Sequence, residues 1–147
     1  MLDVTEDKAP LAEHLLSLDP ESRRQRFMMP ASDKTVLDYC ENSQPLFIVI
    51  ALEGDEIMGV AEAHLSDDSG LEVALSVRRD KRGMGYGGAM FEEVIAEARA
   101  RGYGRVTAFF SRQNRAIARI CARHHARMTS AGPEVTAEIL LTPVSRH

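Results

Sequence analysis

The chain has 147 residues, of which 44% are hydrophobic and 27% charged, and its net charge is −4 at pH 7. This length fits a single domain over residues 1–147, and no apolar run approaches the roughly 20 residues that a membrane-spanning helix needs. Nucleic-acid binding depends on clustered Lys and Arg that neutralise phosphates, so the acidic balance argues against a nucleic-acid partner.

The start of the chain and its cysteines predict the surroundings of the protein. The first residues are acidic and precede no long apolar stretch, a pattern unlike that of a secretory signal. We therefore expect a cytoplasmic protein without a membrane partner. Cys40 and Cys121 lack metal-ligand spacing and are too few for a disulfide framework, so we expect free thiols and no metal site.

The first third of the chain is predicted to be helical. Leucines recur at helical spacing from Ala9 to Leu18, and Asp19-Pro20 ends that pattern. The polar stretch from Pro20 to Arg26 can form a second helix, and Ser32 can cap a third one that carries Val36, Leu37 and Cys40.

A meander of strands follows. The run from Leu46 to Leu52 predicts a strand, and Glu53 to Glu56 reads as a hairpin turn. Ile57 to Leu65 forms the return strand, and Ser66 to Gly70 forms a second turn. Leu71 to Val77 then alternates large apolar residues with Glu72, Ala74 and Ser76, which gives this strand one apolar and one small or polar face.

The second half predicts two helices alternating with two strands. A glycine-rich loop, residues 82–88, opens a helix that runs to Gly102, and Arg105 to Phe110 forms the next strand. Asn114 is suited to cap the following helix, whose apolar stripe contains Ile117, Ile120, Cys121 and His124, and Val135 to Leu141 forms the last strand.

Glycines at the start of a helix let an anion approach unpaired N–H groups at the positive end of the helix dipole. A plain helix-capping turn is the alternative without a ligand. A Walker loop would place Lys-Ser or Lys-Thr after its last glycine, whereas Gly88 is followed by Ala89-Met90. Gly83, Gly85 and Gly88 do fit the dinucleotide pattern G-x-G-x-x-G, but this loop follows a meander and no ribose-binding acid occurs about 20 residues later.

The remaining pattern is [Q/R]-x-x-G-x-[G/A]. The string Arg82-Gly83-Met84-Gly85-Tyr86-Gly87 resembles the acetyl-CoA loop of the GNAT acyltransferase superfamily, and its place between a meander and a helix agrees. The stretches Leu71–Val77 and Leu18–Phe27 resemble GNAT domains of the protein-acetyltransferase type. The resemblance implies an α/β (α+β) GNAT fold with a mixed, mostly antiparallel central sheet flanked by helices.

The resemblance also implies how coenzyme A would bind. Backbone N–H groups of the loop would hold the pyrophosphate, while the strand around Val77 would pair with the pantetheine arm. The expected acetyl-CoA-binding residues are Leu75, Ser76, Val77, Arg82, Gly83, Met84, Gly85, Tyr86, Gly87, Gly88 and Asn114. Arg115, Arg119, Arg123 and Arg127 recur every four residues and predict a basic stripe, either solvated or in contact with the 3′-phosphate.

Acyl transfer to an amine benefits from a general base. Glu72 is the predicted catalytic residue, since it lies on the polar face of its strand, where partial desolvation would raise its basicity. Glu62 and His64 on the neighbouring strand are reserve bases. Many family members have a tyrosine as general acid where this chain has Cys121, which we interpret as a small buried residue.

The sequence therefore predicts an N-acetyltransferase that moves an acetyl group from acetyl-CoA to a primary amine in a ternary complex. No serine or cysteine with a paired base is expected, so no covalent intermediate is expected either. The acceptor, a small molecule or a protein, is left open, and a homodimer through the last strands is an option. A non-catalytic acyl-CoA-binding sensor is the main alternative, and a nucleotide-binding oxidoreductase is a weaker one.

Overall fold

The computed structural model describes residues 1–66 and 69–142. Within these ranges the chain forms seven strands and five α-helices. The strands are β1 Leu2–Thr5, β2 Phe47–Glu53, β3 Glu56–Leu65, β4 Leu71–Val77, β5 Arg105–Ser111, β6 Arg127–Ala131 and β7 Glu134–Leu140. The helices are α1 Ala9–Ser17, α2 Pro20–Phe27, α3 Asp33–Asn42, α4 Tyr86–Ala100 and α5 Arg115–Arg123.

The predicted elements are all present, and two of the predicted caps have their expected geometry. Ser32 Oγ accepts a hydrogen bond from Thr35 N at 3.2 Å, and Asn114 Oδ1 accepts one from Ile117 N at 3.3 Å. The turn after β3 closes with a hydrogen bond from Ser66 N to Gly70 O, while Asp67 and Asp68 lie outside the described residues. Strands β1 and β6 were not predicted.

The seven strands form one sheet in the order β1-β2-β3-β4-β5-β7-β6. Adjacent strands are antiparallel except for β4 and β5, which are the parallel pair of the described sheet. The predicted fold class, a mixed and mostly antiparallel sheet flanked by helices, is confirmed.

The parallel pair is short. Its register covers only Leu71 to Val73 of β4 against Val106 to Ala108 of β5. Because the described pairing ends there, the second half of β4 has no strand on its β5 side, and the two strands separate. This separation opens a gap in the middle of the sheet, and it positions the site.

Hydrophobic cores on both faces fix the strands around this gap. The larger core packs α4 and α5 on one face and includes Phe47 and Phe91, both fully buried. The smaller core packs α1 and α3 on the other face, around Leu11 and Val36. Full burial of such side chains contributes about 2 kcal/mol each. Of the helices described, none is long and apolar enough to cross a membrane.

Candidate active site

The loop between β4 and α4 has the backbone geometry of an anion-binding turn. Gly83 and Gly85 have φ angles of +78° and +90°, which side chains of L residues rarely adopt. Gly87, in the first turn of α4, lies close to α5, since a Cβ atom there would be 3.2 Å from Ile120 Cδ1. The glycines thus turn the chain sharply and leave the first amides of α4 accessible.

These amides face a cleft of about 620 Å³, which we call the large cleft. It is bounded by the second half of β4, the glycine loop, the start of α4, and α5. Met84 is 61% exposed and is not among the lining residues. The other predicted cofactor residues all line the cleft, namely Leu75, Ser76, Val77, Arg82, Gly83, Gly85, Tyr86, Gly87, Gly88 and Asn114.

The large cleft is cationic although the chain is acidic overall. Among the described residues that line it there is no aspartate or glutamate. A cleft lined by one sign of charge concentrates ligands of the opposite sign, so this one suits a polyphosphate ligand such as coenzyme A. Arg127 begins β6 and is absent from the lining, so the predicted stripe contributes three of its four members. The lining cations are Arg26, Lys81, Arg82, Arg115, Arg119 and Arg123.

A second cavity of about 190 Å³, the small pocket, adjoins the large cleft. Leu75, Asn114 and Ile117 line both cavities, so the two meet where β4 and β5 separate. Glu72 lines the small pocket. Its side chain is exposed, however, so the expected partial desolvation of this carboxylate is wrong.

Glu62 is buried beneath the small pocket in a polar cluster. Its carboxylate accepts hydrogen bonds from Arg26 Nη2 and from Tyr39 Oη, the latter at 2.6 Å. Burial raises the pKa of Glu62, but the Arg26 charge and the hydrogen bonds from His64, Arg26 and Tyr39 outweigh burial and bring this pKa down to about 2. Glu62 is therefore a permanent counter-ion, and its prediction as a reserve base is wrong.

His64 remains as a candidate base beside Glu72. The two residues face each other in the β3–β4 register, and both line the small pocket. His64 Nε2 lies 3.0 Å from Glu62 Oε1, and a quarter of the His64 side chain is exposed. The imidazole is thus anchored on one side and open on the other.

Comparison with known families decides the identity of this site. A model of the acetyltransferase (GNAT) family matches residues 11–125, which is most of the chain. The chain belongs to the GNAT acetyltransferase family. It is accordingly an acyl-CoA-dependent N-acetyltransferase, and the dinucleotide interpretation of its glycine loop is set aside.

Solved structures share the fold of this acetyltransferase over nearly the whole chain. The GNAT domain of S. lividans PAT is 22% identical with a TM-score of 0.76, and 95% of this chain and 89% of that chain are covered. The ribosomal-protein-S18-alanine N-acetyltransferase from Escherichia coli is 11% identical with a TM-score of 0.72, and the covered shares are 99% and 97%. These likenesses confirm the GNAT fold. No curated protein matches the sequence.

The acetyltransferase contains a serine–histidine pair that sequence reasoning missed. His14 Nε2 lies 2.8 Å from Ser76 Oγ, and Ser76 lines the large cleft. The expectation that no serine has a base beside it is therefore wrong. Burial lowers the pKa of His14 from 6.5 to about 4, and within the described residues its Nδ1 has no partner. This histidine lacks the carboxylate that orients the base in hydrolytic triads.

Cys121 has the structural role that its apolar stripe predicts. The side chain is fully buried, and burial raises the pKa of its thiol to about 11. It lines neither the large cleft nor the small pocket. Cys121 is therefore a core residue and does not take the place of the family's tyrosine.

Helix α2 supplies residues to the site whose roles were not predicted. Its sequence looks polar and solvated, yet Ser22 is buried and the Arg26 side chain is only 9% exposed. Arg26 neutralises Glu62, and Ser22 accepts a hydrogen bond from Arg82 of the glycine loop at 2.7 Å. The sequence did indicate that this segment matters, because Leu18–Phe27 resembles the same segment of other GNAT domains. The resemblance assigned no role to any of its side chains.

Proposed function

We propose that this enzyme transfers an acetyl group from acetyl-CoA directly to a primary amine in a ternary complex. The observation that carries the proposal is that the large cleft and the small pocket meet at the β4–β5 gap. A cofactor in the first and an amine in the second bring a thioester and a nucleophile together there. Positioning of this kind supplies much of the rate in group transfer.

The cofactor side of the proposal rests on the loop and the unpaired half of β4. The first amides of α4 would hold the pyrophosphate, and the cations of α5 would face the 3′-phosphate. The edge of β4 from Ala74 to Val77 lacks a described strand partner on the β5 side, so its backbone is free to pair with the pantetheine amides. When bound, acetyl-CoA supplies the activated acyl group.

The acceptor side rests on Glu72 and the apolar walls of the small pocket. Glu72 attracts the ammonium group and accepts a proton from its nitrogen during the transfer. The walls include Met28, Phe109 and Phe110. Arg26 is the cation among the described residues that line this pocket, and it already donates hydrogen bonds to Glu62 and Tyr39. The pocket therefore favours an amine on a hydrocarbon stem with no carboxylate next to it.

The experiment is a measurement of free CoA thiol released by purified protein with acetyl-CoA and a panel of amines. The panel contains a lysine-bearing peptide, a diamine and a free amino acid. We expect release that depends on the amine, and a loss of about a hundredfold in kcat for Glu72→Gln. Glu92→Gln on α4 is the matched control, since Glu92 is exposed and lines neither cavity.

Two outcomes would replace the proposal. Binding of acetyl-CoA without turnover of any amine would identify a sensor module, the alternative that the missing tyrosine suggests. An acetyl adduct on Ser76, detected by intact-protein mass spectrometry without amine and abolished in Ser76→Ala, would show a covalent route in place of direct transfer. The cytoplasmic location and the homodimer stay predictions.

A further inference from the structure

The cluster around Glu62 fixes the proton of His64 on one nitrogen. Glu62 Oε1 accepts a hydrogen bond from Tyr39, and Oε2 accepts one from Arg26, so the carboxylate is held ionised and has no proton to donate. The 3.0 Å contact between Glu62 Oε1 and His64 Nε2 consequently needs the proton of Nε2. A neutral imidazole has a single N–H, and Nδ1 is then the nitrogen with a free lone pair.

His64 and Glu72 share the small pocket. His64 stands opposite Glu72 on the adjacent antiparallel strand, and residues paired in this way have Cβ atoms about 5 Å apart. Both side chains line the small pocket. Within the described part of the chain, no hydrogen bond is made by Nδ1. An ammonium group attracted by Glu72 would therefore lie beside the His64 ring.

We infer that His64 is a second proton acceptor of the small pocket, held in its reactive tautomer by Glu62 and sharing with Glu72 the two protons that an acetylated amine loses. The inference rests on the proposed amine acetylation and deepens it. Glu62 is a positioning residue, since it acts only through His64. The arrangement resembles the carboxylate–imidazole half of a hydrolytic triad, in which the carboxylate orients the ring and stabilises the imidazolium.

An ammonium substrate has three protons on nitrogen and the product amide has one. His64 Nδ1 accepts the first proton, which gives an amine with a free lone pair. As the new N–C bond forms and the C–S bond breaks, Glu72 accepts the second proton and passes it to the thiolate sulfur. The exposed side of His64 then releases its proton to solvent.

His64 and Glu72 accept different protons because their surroundings differ. The His64 ring is held in one orientation by its contact with Glu62, whereas the Glu72 carboxylate is exposed. The charged and titratable groups that face His64 are Glu62 on its own strand and Glu72 on β4, with Arg26 of α2 and Tyr39 of α3 reaching it through Glu62. Glu62 and Arg26 compensate each other, so Glu72 supplies the uncompensated negative charge among these groups.

The test compares His64→Gln with His64→Leu. Glutamine can still donate a hydrogen bond to Glu62 but has no basic nitrogen, whereas leucine can do neither. We expect kcat at pH 7 to fall at least tenfold in both variants, with an unchanged Kd for acetyl-CoA. The acidic limb of the kcat/KM profile should also move in His64→Gln. Wild-type rates and pH profile in His64→Gln, with a defect only in His64→Leu, would assign His64 a structural role and overturn the inference.

A readout independent of activity is the ring tautomer. Long-range ¹H–¹⁵N correlation spectra of the wild-type protein, with His64→Gln to assign the signal, should show protonated Nε2 and unprotonated Nδ1 in the neutral ring. A protonated Nδ1 in the neutral ring would overturn the inference even if the protein is active. Absence of turnover with every amine would overturn the proposed function, and the catalytic role of His64 with it.

Discussion

Arg82 of the glycine loop donates a hydrogen bond from Nη2 to Ser22 Oγ on helix α2 at 2.7 Å. Ser22 is itself buried, and its hydroxyl donates to Asp19 Oδ1, the residue that precedes α2. Arg79, from the other side of the loop region, lies 3.3 Å from Asp19 Oδ2. Two contacts therefore connect the region of the glycine loop to α2: one reaches Ser22 within the helix, and the other reaches Asp19 just before it.

Ser22→Ala should weaken acetyl-CoA binding through the loss of its contact with Arg82. The substitution removes the acceptor that orients Arg82 and leaves Asp19 without its hydroxyl donor. We expect a several-fold rise in Kd and a loss of about 1 kcal/mol in the free energy of unfolding. Isothermal titration calorimetry and urea unfolding measure the two effects. Ser43→Ala is the control, since Ser43 Oγ has no partner within the described residues; an equal effect of both variants would contradict this coupling.

Charge reversal at Arg119 and Arg123 should reduce affinity for acetyl-CoA by about tenfold or more, because each arginine faces the large cleft and charge-assisted contacts to phosphate are strong. Arg127→Glu is the matched control from the same predicted stripe, since it lies outside the cleft. Titrations with acetyl-CoA and with its 3′-dephospho form separate the two phosphate sites. An equal loss for both ligands would argue against contact with the 3′-phosphate.

Gly85→Ala should strain the loop. An alanine at φ +90° costs about 1–2 kcal/mol, and relief of that strain would displace the first amides of α4. We expect lower stability in urea unfolding together with weaker acetyl-CoA binding. Gly104→Ala offers a comparison in which the added Cβ meets nothing within 4 Å and φ is not positive. Gly104→Ala should be neutral, and a neutral Gly85→Ala would refute the assigned loop geometry.

The stability of the protein should fall as the pH drops from about 6.5 towards 4. Burial lowers the pKa of His14 to about 4 from its ordinary 6.5. Between these values the unfolded chain binds a proton that the folded chain does not, so the folded state loses about 3 kcal/mol relative to neutral pH. Above pH 6.5 this group contributes no slope.

Urea unfolding across that range checks the prediction. His14→Gln should flatten the curve between pH 6.5 and 4, whereas His125→Asn, at an exposed position, should keep it. An unchanged slope in His14→Gln would show that other groups cause the loss. Glu62 acts at lower pH, because its pKa of about 2 lies below the ordinary 4.5, so its contribution is present above pH 4.5 and lost as the pH falls towards 2.

The secondary-structure elements that could be predicted from the sequence are those whose pattern is set by neighbouring residues along the chain. Strand β4 and helices α4 and α5 were predicted because one face of each is buried and leaves a periodic pattern. Strands β2 and β3 are buried on both faces over most of their length, and they were predicted from their β-rich composition and the turns that bound them. Strands β1 and β6 lie at the two edges of the sheet, and all five residues of β6 are exposed. An edge strand without a buried face leaves no such pattern in the sequence.

The candidate site also has one part that a local sequence motif specifies and another that depends on contacts between distant residues. The glycine loop is a local motif whose spacing expresses a backbone requirement, so the sequence by itself determined the loop, the family and the expectation of acetyl-CoA. Only the tertiary structure decided the protonation of Glu62 and the anchoring of His64. Arg26 and Tyr39 reach Glu62 across 36 and 23 residues of sequence, and a carboxylate's proton affinity depends on which charges are buried beside it.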